Sequence, residues 1–387
     1  MSTIKYRGLI VLIIMSLIAG ACAQTPQQTY TPSDVPDGQQ TVVPTNVETT
    51  PTEPKEVTIA VGAYVLNSSY FWLMMPLALG YWEDMGYKVS VEGVGASMDA
   101  IQQLVGGNTD FVQADSAAII QANVKENLPI KVVMETKVID YALVVPIDSD
   151  IQTVGDFKGK IVGVFSLASG SIPLMEGYLK ENGLDPDKDI EMIPVGFGPQ
   201  ASEALKRGDI DILILWGAAL AQLENLGHEF RYFRSEKWLQ MPEFSLATNL
   251  DLIEQDPQMV VDIVKGALMG MAFTQENPEC AIKVHWANWP ETKPADVDEE
   301  TALQWDKNII NANLESMNNV FKLHGSNLWG VATPDEFDRL QEFMLSAGLI
   351  DKTIDPSIFI INTPGFWDEV NDFDREAIIQ QARACDF

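Results

Sequence analysis

YKVSVEGV (87–94), SMDAIQQLVGG (97–107), TDFVQAD (109–115), SAAIIQANVKE (116–126) and KVVMET (131–136) follow one another with almost nothing between them. The odd-numbered pieces are short and rich in β-branched residues, and the even-numbered ones carry apolar residues at helical spacing. Gly106-Gly107 stops the first of the two helices. Strict β-α-β-α-β alternation with crossovers of roughly 10 to 20 residues demands parallel strands with helices on both faces.

The same grammar extends outward. Upstream, VTIAVGAY (57–64) is a strand, Asn67-Ser68-Ser69 a polar loop, and FWLMMPLALGYWEDMG (71–86) a helical stretch. Downstream, residues 141–146 read as a strand leaving the first lobe, after which alternation restarts. DFKGKIVGVF, a helix over 171–182, IEMIPVGF, a helix over 200–207, DIDILILW and a helix after Gly217 give a second α/β lobe. PEFSLATN (242–249) returns the chain. Later helices, with Pro334, Asp335 and Glu336 in a first turn and Gly348 as a stop, are expected to pack on the first lobe.

The expected organisation is therefore a signal peptide over 1–21, a disordered tether over 22–55, one lobe from 56–145 plus 246–387, and a second lobe from 146–245. Two crossings between two lobes make a hinge, and in open α/β sheets ligands sit outside the carboxyl ends of the strands.

The N-terminus sets the compartment. Lys5 and Arg7 precede an apolar run from Leu9 to Met15 that continues through Ala19-Gly20-Ala21 to Cys22. It is short for a permanent membrane span and ends in small residues, which is signal-peptide character. Cys22 is a candidate for lipidation, with ordinary cleavage near Ala23 as the alternative. The Thr/Pro/Gln-rich stretch that follows suits a leash.

The formal charge is −30, and loss of Lys5 and Arg7 leaves 23 basic against 55 acidic residues, a balance of −32. Nucleic acid and anionic lipid are disfavoured as partners. Cys280 and Cys385 remain as a spare pair that permits one disulfide or two buried thiols. No CxxC or HExxH occurs and His228, His285 and His324 are far apart, so neither metal nor cofactor is expected.

Loops at strand ends supply the candidate ligand residues: Tyr64, Asn67, Tyr70, Phe71, Gln113, Asp115, Ser166, Ser169, Ser171, Phe197, Gln200 and Trp216. None is Lys or Arg, which favours an aromatic or heterocyclic ligand over a free anion. Of the consecutive Tyr70, Phe71 and Trp72, at most two can face a cleft, and Trp72 is read as core. The three serines could equally cap a helix, and Asp115 could cap its own. Trp216 is the leading aromatic candidate.

ALGYWEDMGYKVSVE, QQLVGGNTDFVQAD, DFKGKIVGV, PVGFGPQASEALKRGDIDILILWGAALAQLENLG, SLATNLDLIEQDPQMVVDIVKGAL and LQEFMLSAGLIDKTIDPS, in this order from about Val57 to Asp374, resemble the bacterial solute-binding family of ABC importers for nitrate, taurine, aliphatic sulfonates and thiamine precursors. The resemblance implies a type II periplasmic-binding-protein fold and a monomeric, non-catalytic role. It also implies docking on a permease and ATPase at the outer face of the cell membrane or in the periplasm.

Pyrimidine-binding members carry W-x-P-N-x-x-H in the first loop. Here YVLNSSY (64–70) keeps Asn67 but has Tyr64, Leu66 and Tyr70 at the other three positions. That leaves a flat, stackable ligand of pyrimidine or flavin type as the expectation, with a small sulfonate held by serines and amides as the alternative. Pyrimidine-synthesising enzymes of this fold use a cysteine-rich iron site and a histidine, and neither has a counterpart in the candidate loops. A ligand-sensing lipoprotein is a third class.

Overall fold

In the computed structural model, residues 53–387 are described. The signal peptide, Cys22 and nearly all of the tether lie outside the described residues. Ten strands form two five-stranded sheets: β1 Lys55–Val61, β2 Tyr87–Gly93, β3 Phe111–Asp115, β4 Ile130–Val138, β5 Ala142–Pro146, β6 Lys160–Val164, β7 Ile190–Pro194, β8 Ile212–Leu215, β9 Phe230–Phe233 and β10 Pro242–Asn249. The first sheet has the order β2-β1-β3-β10-β4 and the second β7-β6-β8-β5-β9.

Neither sheet is wholly parallel. β10 runs antiparallel to β3 and β4, and β5 antiparallel to β8 and β9. The parallel rule holds where a helix makes the crossover, as in β1 with β2 and β3 and in β6 with β7 and β8. β5 and β10 are the strands by which the chain enters a sheet from the other one, so each arrives from the opposite end. The strand over 141–146 thus pairs inside the second sheet, and β10 inside the first from Pro242. The passages between sheets fall at 139–141 and 234–241.

β3 and β8 are buried along their whole length, as expected of strands covered on both faces. On the first sheet the helix Phe71–Ala78 is clamped by the long helix Pro257–Glu276. A side chain at Gly266 would meet the Trp82 ring nitrogen at 2.2 Å, and that nitrogen donates to Ile263 O at 3.0 Å. Glycine is what lets the buried indole lie against the helix backbone.

The C-terminal helices do not confine themselves to the first sheet. Helix Glu299–His324 packs against β4 and also against helix Gly217–Asn225 of the second sheet. Asn225 Nδ2 donates to Trp305 O at 3.0 Å, and Asn308 Nδ2 to Asn225 Oδ1 at 2.8 Å. Helix Pro334–Ser346 meets helix Ser171–Glu181, where Phe343 fills the space over Gly177. Amphipathic periodicity gave these helices a buried face but not the identity of both neighbours. Cys385 is bonded to Cys280 with a Cα–Cα separation of 5.7 Å, which ties the last helix, Arg375–Ala384, to helix Pro278–Asn288.

Among the described residues no helix is long and apolar enough to cross a membrane.

Candidate functional site

Strand ends of both sheets face one another across a cleft of about 1440 Å³, with a narrower pocket at its base that shares Phe165. Helices Ser97–Val105, Ser116–Glu126, Ser171–Glu181, Pro199–Arg207 and Gly217–Asn225 each start at these strand ends. Ala96, Ser97, Asp115, Ser169, Pro199 and Trp216, at or just before those starts, line the space.

Rings dominate the second-sheet wall. Phe165, Phe197 and Trp216 form a closed triangle with centroid separations of 5.6 to 5.8 Å. Tyr141 reaches Trp216 edge-on at 6.3 Å. From the opposite side Tyr64 approaches Phe165 at 5.6 Å, and Tyr70, Trp72 and Phe244 make a second aromatic group at the base. Tyr64 is 62% exposed, so this ring has room to move onto a ligand.

Of the twelve residues expected from the loops, Tyr70, Asp115, Ser169 and Trp216 line the base, and Tyr64, Asn67, Ser166, Phe197 and Gln200 line the mouth. Three do not line the cleft. Phe71 is fully buried in the hydrophobic core, and it is Trp72 that turns to the pocket, reversing the expected assignment. Gln113 is buried behind Trp72 and accepts the indole N–H at 3.2 Å. Ser171 is fully buried and pairs with Ser169 Oγ at 2.9 Å. Consecutive residues at a strand-to-helix turn alternate between pocket and core, and periodicity does not say where the alternation starts.

The expectation of a cleft without Lys or Arg also needs correction. Lys137 on β4 lines the base, almost fully buried, and bonds Asp140 at 3.0 Å and Glu243 at 3.1 Å. Burial opposes its charge, but Asp140 and Glu243 outweigh burial and raise its pKa. Glu243 is pushed well above the carboxylate range by burial and then by Asp140. Asp140 also accepts the Gly217 N–H at 3.0 Å, satisfying the start of a second-sheet helix.

Asp115 does not cap its own helix. Its Oδ2 accepts from the Ser97 hydroxyl, and its Oδ1 from the Tyr141 hydroxyl at 3.2 Å. The Gly170 amide of the second sheet lies against the same carboxylate. Burial raises the Asp115 pKa, while Ser97, Tyr141, Lys137 and Gly170 act in the other direction. Asp115, Asp140 and Glu243 thus surround Lys137, the one buried lysine or arginine among the described residues, with burial favouring the protonated form of Glu243 and Asp115. Arg207 at the mouth is already paired with Asp209 at 2.7 Å.

Loop reading missed Lys137, Tyr141, Glu243, Phe244 and, from helix Glu299–His324, Trp305, Asp306 and Asn313. Ser97 opens the helical piece SMDAIQQLVGG and Phe165 closes DFKGKIVGVF, so both stand at strand-helix junctions where the turn brings a side chain to the cleft. The rest sit on the hinge strands or on a distant helix, with no local signal.

Sheet order, paired crossings and an aromatic cleft define a bilobal binding protein of the type II periplasmic class. The NMT1/THI5-like family model matches residues 67–281, more than half of the chain, and the chain belongs to this family. RibY, a riboflavin-binding protein from Chloroflexus aurantiacus, is 22% identical over 355 residues, covering 90% of this chain and 93% of RibY.

Among solved structures, a Bordetella bronchiseptica protein superimposes with a TM-score of 0.65 at 20% identity, over 83% of this chain and 98% of its own. The ligand-binding component of an ABC-type import system from Staphylococcus aureus gives 0.57 at 12%, over 82% and 99%. A putative periplasmic sulfonate-binding protein from Methylobacillus flagellatus gives 0.51 at 18%, over 82% and 94%. At such identities the likeness is one of fold.

Proposed function

We propose that this chain is an extracytoplasmic solute-binding lipoprotein that captures a neutral or cationic aromatic heterocycle and delivers it to an ABC importer. Residues 139–141 and 234–241 act as the hinge between two lobes that close on the ligand. The observation that carries the ligand class is the lining of the cleft: rings on both walls, an exposed Tyr64 at the mouth able to fold over, and at the base a Lys137 already paired with Asp140 and Glu243.

Rings stack on a flat ligand, and a buried carboxylate such as Asp115 accepts from a ring N–H or amino group. A free sulfonate or nitrate would meet Asp115 and find no unpaired cation in the described cleft. Two of the helix N-termini that could attract an anion are already served by protein carboxylates. Asp99 accepts the Ala96 N–H at 2.8 Å, and Asp140 the Gly217 N–H. The mouth of the cleft admits a ligand as large as a tricyclic flavin, the base at Asp115 and Trp216, at about 30 Å³, has to widen before a ring edge reaches it, and the relative that spans nine-tenths of the chain is named for riboflavin.

A flavin-type compound is therefore the first candidate, with a thiamine-type pyrimidine second. The chemistry is capture rather than turnover, and the operating unit is a monomer held to the membrane by lipid on Cys22. A thermal-shift panel of riboflavin, aminopyrimidines, taurine, alkanesulfonates and nitrate tests the ligand class. Stabilisation by riboflavin or an aminopyrimidine is expected. Stabilisation confined to sulfonates or nitrate would reverse the assignment.

A further inference from the structure

Away from the cleft, three side chains meet that ligand capture does not use. Glu135 on β4, His324 in the last turn of helix Glu299–His324 and Glu336 in the first turn of helix Pro334–Ser346 each bring a ligand-type atom to within 4.8 Å of the others. Glu135 and Glu336 are each 1% exposed, and the His324 side chain 6%. Sequence reading found no metal motif because these residues are separated by nearly two hundred positions and come from three elements.

Their hydrogen bonding is lopsided. Glu336 Oε2 accepts from the Thr333 hydroxyl at 2.5 Å and the Thr333 N–H at 3.3 Å, and lies 2.6 Å from His324 Nε2. Glu336 Oε1 and both oxygens of Glu135 receive no hydrogen bond from a donor group among the described residues, and the two carboxyls, within reach of each other, bond only when one carries a proton. Arg339, whose charge reaches Glu135, spends its Nε on Gln240 O. A proton shared between the two carboxyls would satisfy two of these three oxygens and leave the third bare. A cation between them serves all three, and a buried carboxylate is retained where it is paired or coordinates a metal.

We propose that Glu135, His324 and Glu336 form a binding site for a first-row divalent cation of the zinc type. One imidazole and two carboxylates suit zinc, whereas calcium takes about six to eight oxygens. Ligand atoms around one ion at about 2.0–2.2 Å sit roughly 3.3–3.6 Å apart, so a cluster within 4.8 Å, with His324 Nε2 2.6 Å from Glu336 Oε2, shares an ion after side-chain shifts of up to about 1 Å. Glu336 keeps its Thr333 bonds in this arrangement, while His324 exchanges its bond to Glu336 for the metal. The ion would pin the strand that carries Lys137 to both bridging helices.

The test uses the purified protein, stripped with chelator, desalted, and incubated separately with ZnCl2 and CaCl2. Bound metal is counted by plasma mass spectrometry and thermal unfolding is followed in parallel. One zinc per chain is expected to survive desalting and to raise the melting temperature, an effect reversed by EDTA. Glu135→Gln, a neutral isostere that leaves the Thr333 cap intact, and His324→Ala should each lose the retained ion, with affinity down at least about tenfold.

Absence of retained zinc, preference for calcium, or equal zinc retention by both variants would overturn the site. If zinc is not retained and Glu135→Gln melts at or above the parent temperature, a shared proton is what holds the pair.

Discussion

Replacing Gly170 by alanine puts a methyl group into the seam between the two sheets. A Cβ at this position would lie 2.3 Å from both Cβ and Cγ of Asp115, roughly 1 Å inside the ordinary carbon contact of about 3.5 Å. Asp115 cannot swing clear, because its own Cβ is in the clash and its oxygens are held by Ser97 and Tyr141. Relief has to come from separating the loops.

Overpacking of this kind costs about 1–3 kcal/mol. Charged entirely to the closed arrangement, it lowers the closed-to-open ratio by roughly 5- to 150-fold, and the apparent affinity by as much once the open form predominates. Calorimetric titration with the ligand found by the thermal-shift panel reads the affinity, and small-angle scattering reads the opening. Weaker binding, a larger radius of gyration without ligand and a melting temperature within a few degrees of the parent are expected. Parental affinity together with unchanged scattering would show that the Asp115–Gly170 seam is not a closing contact.

Trp216→Ala should weaken binding by about 1–3 kcal/mol with little change in melting, read by titration calorimetry. Lys137→Met strands Asp140 and Glu243 in the interior and should cost about 3–5 kcal/mol in denaturant unfolding. Cys385→Ser opens a bridge spanning 105 positions and should cost about 2–4 kcal/mol under the same assay. Asp306 and His285 titrate in overlapping windows with opposite signs. Burial raises Asp306, despite its bond from Trp286, to about 6. Its contribution to stability is complete below the unfolded value near 4 and lost as pH rises through 6. Burial lowers His285 to about 4, so its contribution is complete above the unfolded value near 6.5 and lost as pH falls through 4. Asp306→Asn should therefore gain stability relative to the parent by about 2 kcal/mol between pH 4 and 6.5, in unfolding curves measured across that range; a constant difference would refute the assignment.

Alternating strands and helices were legible because burial on both faces writes itself into contiguous apolar runs such as ILIL in β8. Strand direction was less so: nothing local in ALVVP or PEFSLATN says that they enter their sheets from the far end. Within the cleft, glycine- and serine-bearing turns disclosed Ser166, Ser169, Phe197 and Trp216, since turn chemistry is local. Lys137, Glu243 and Asp306 were hidden because a buried charge is recognised only by its partners, and those partners lie 3, 106 and 20 positions away. For the same reason the pairing of Lys137 with Asp140 and Glu243, which leaves the described base without a free cation, emerged from the fold alone.

The most direct test is native mass spectrometry of the protein purified from its own host, with the retained small molecule released and identified. A neutral or cationic aromatic heterocycle in the cleft is the predicted result. A sulfonate, nitrate or other small anion as the retained species would contradict the reading of Asp115 and the paired Lys137 that supports the proposed ligand class.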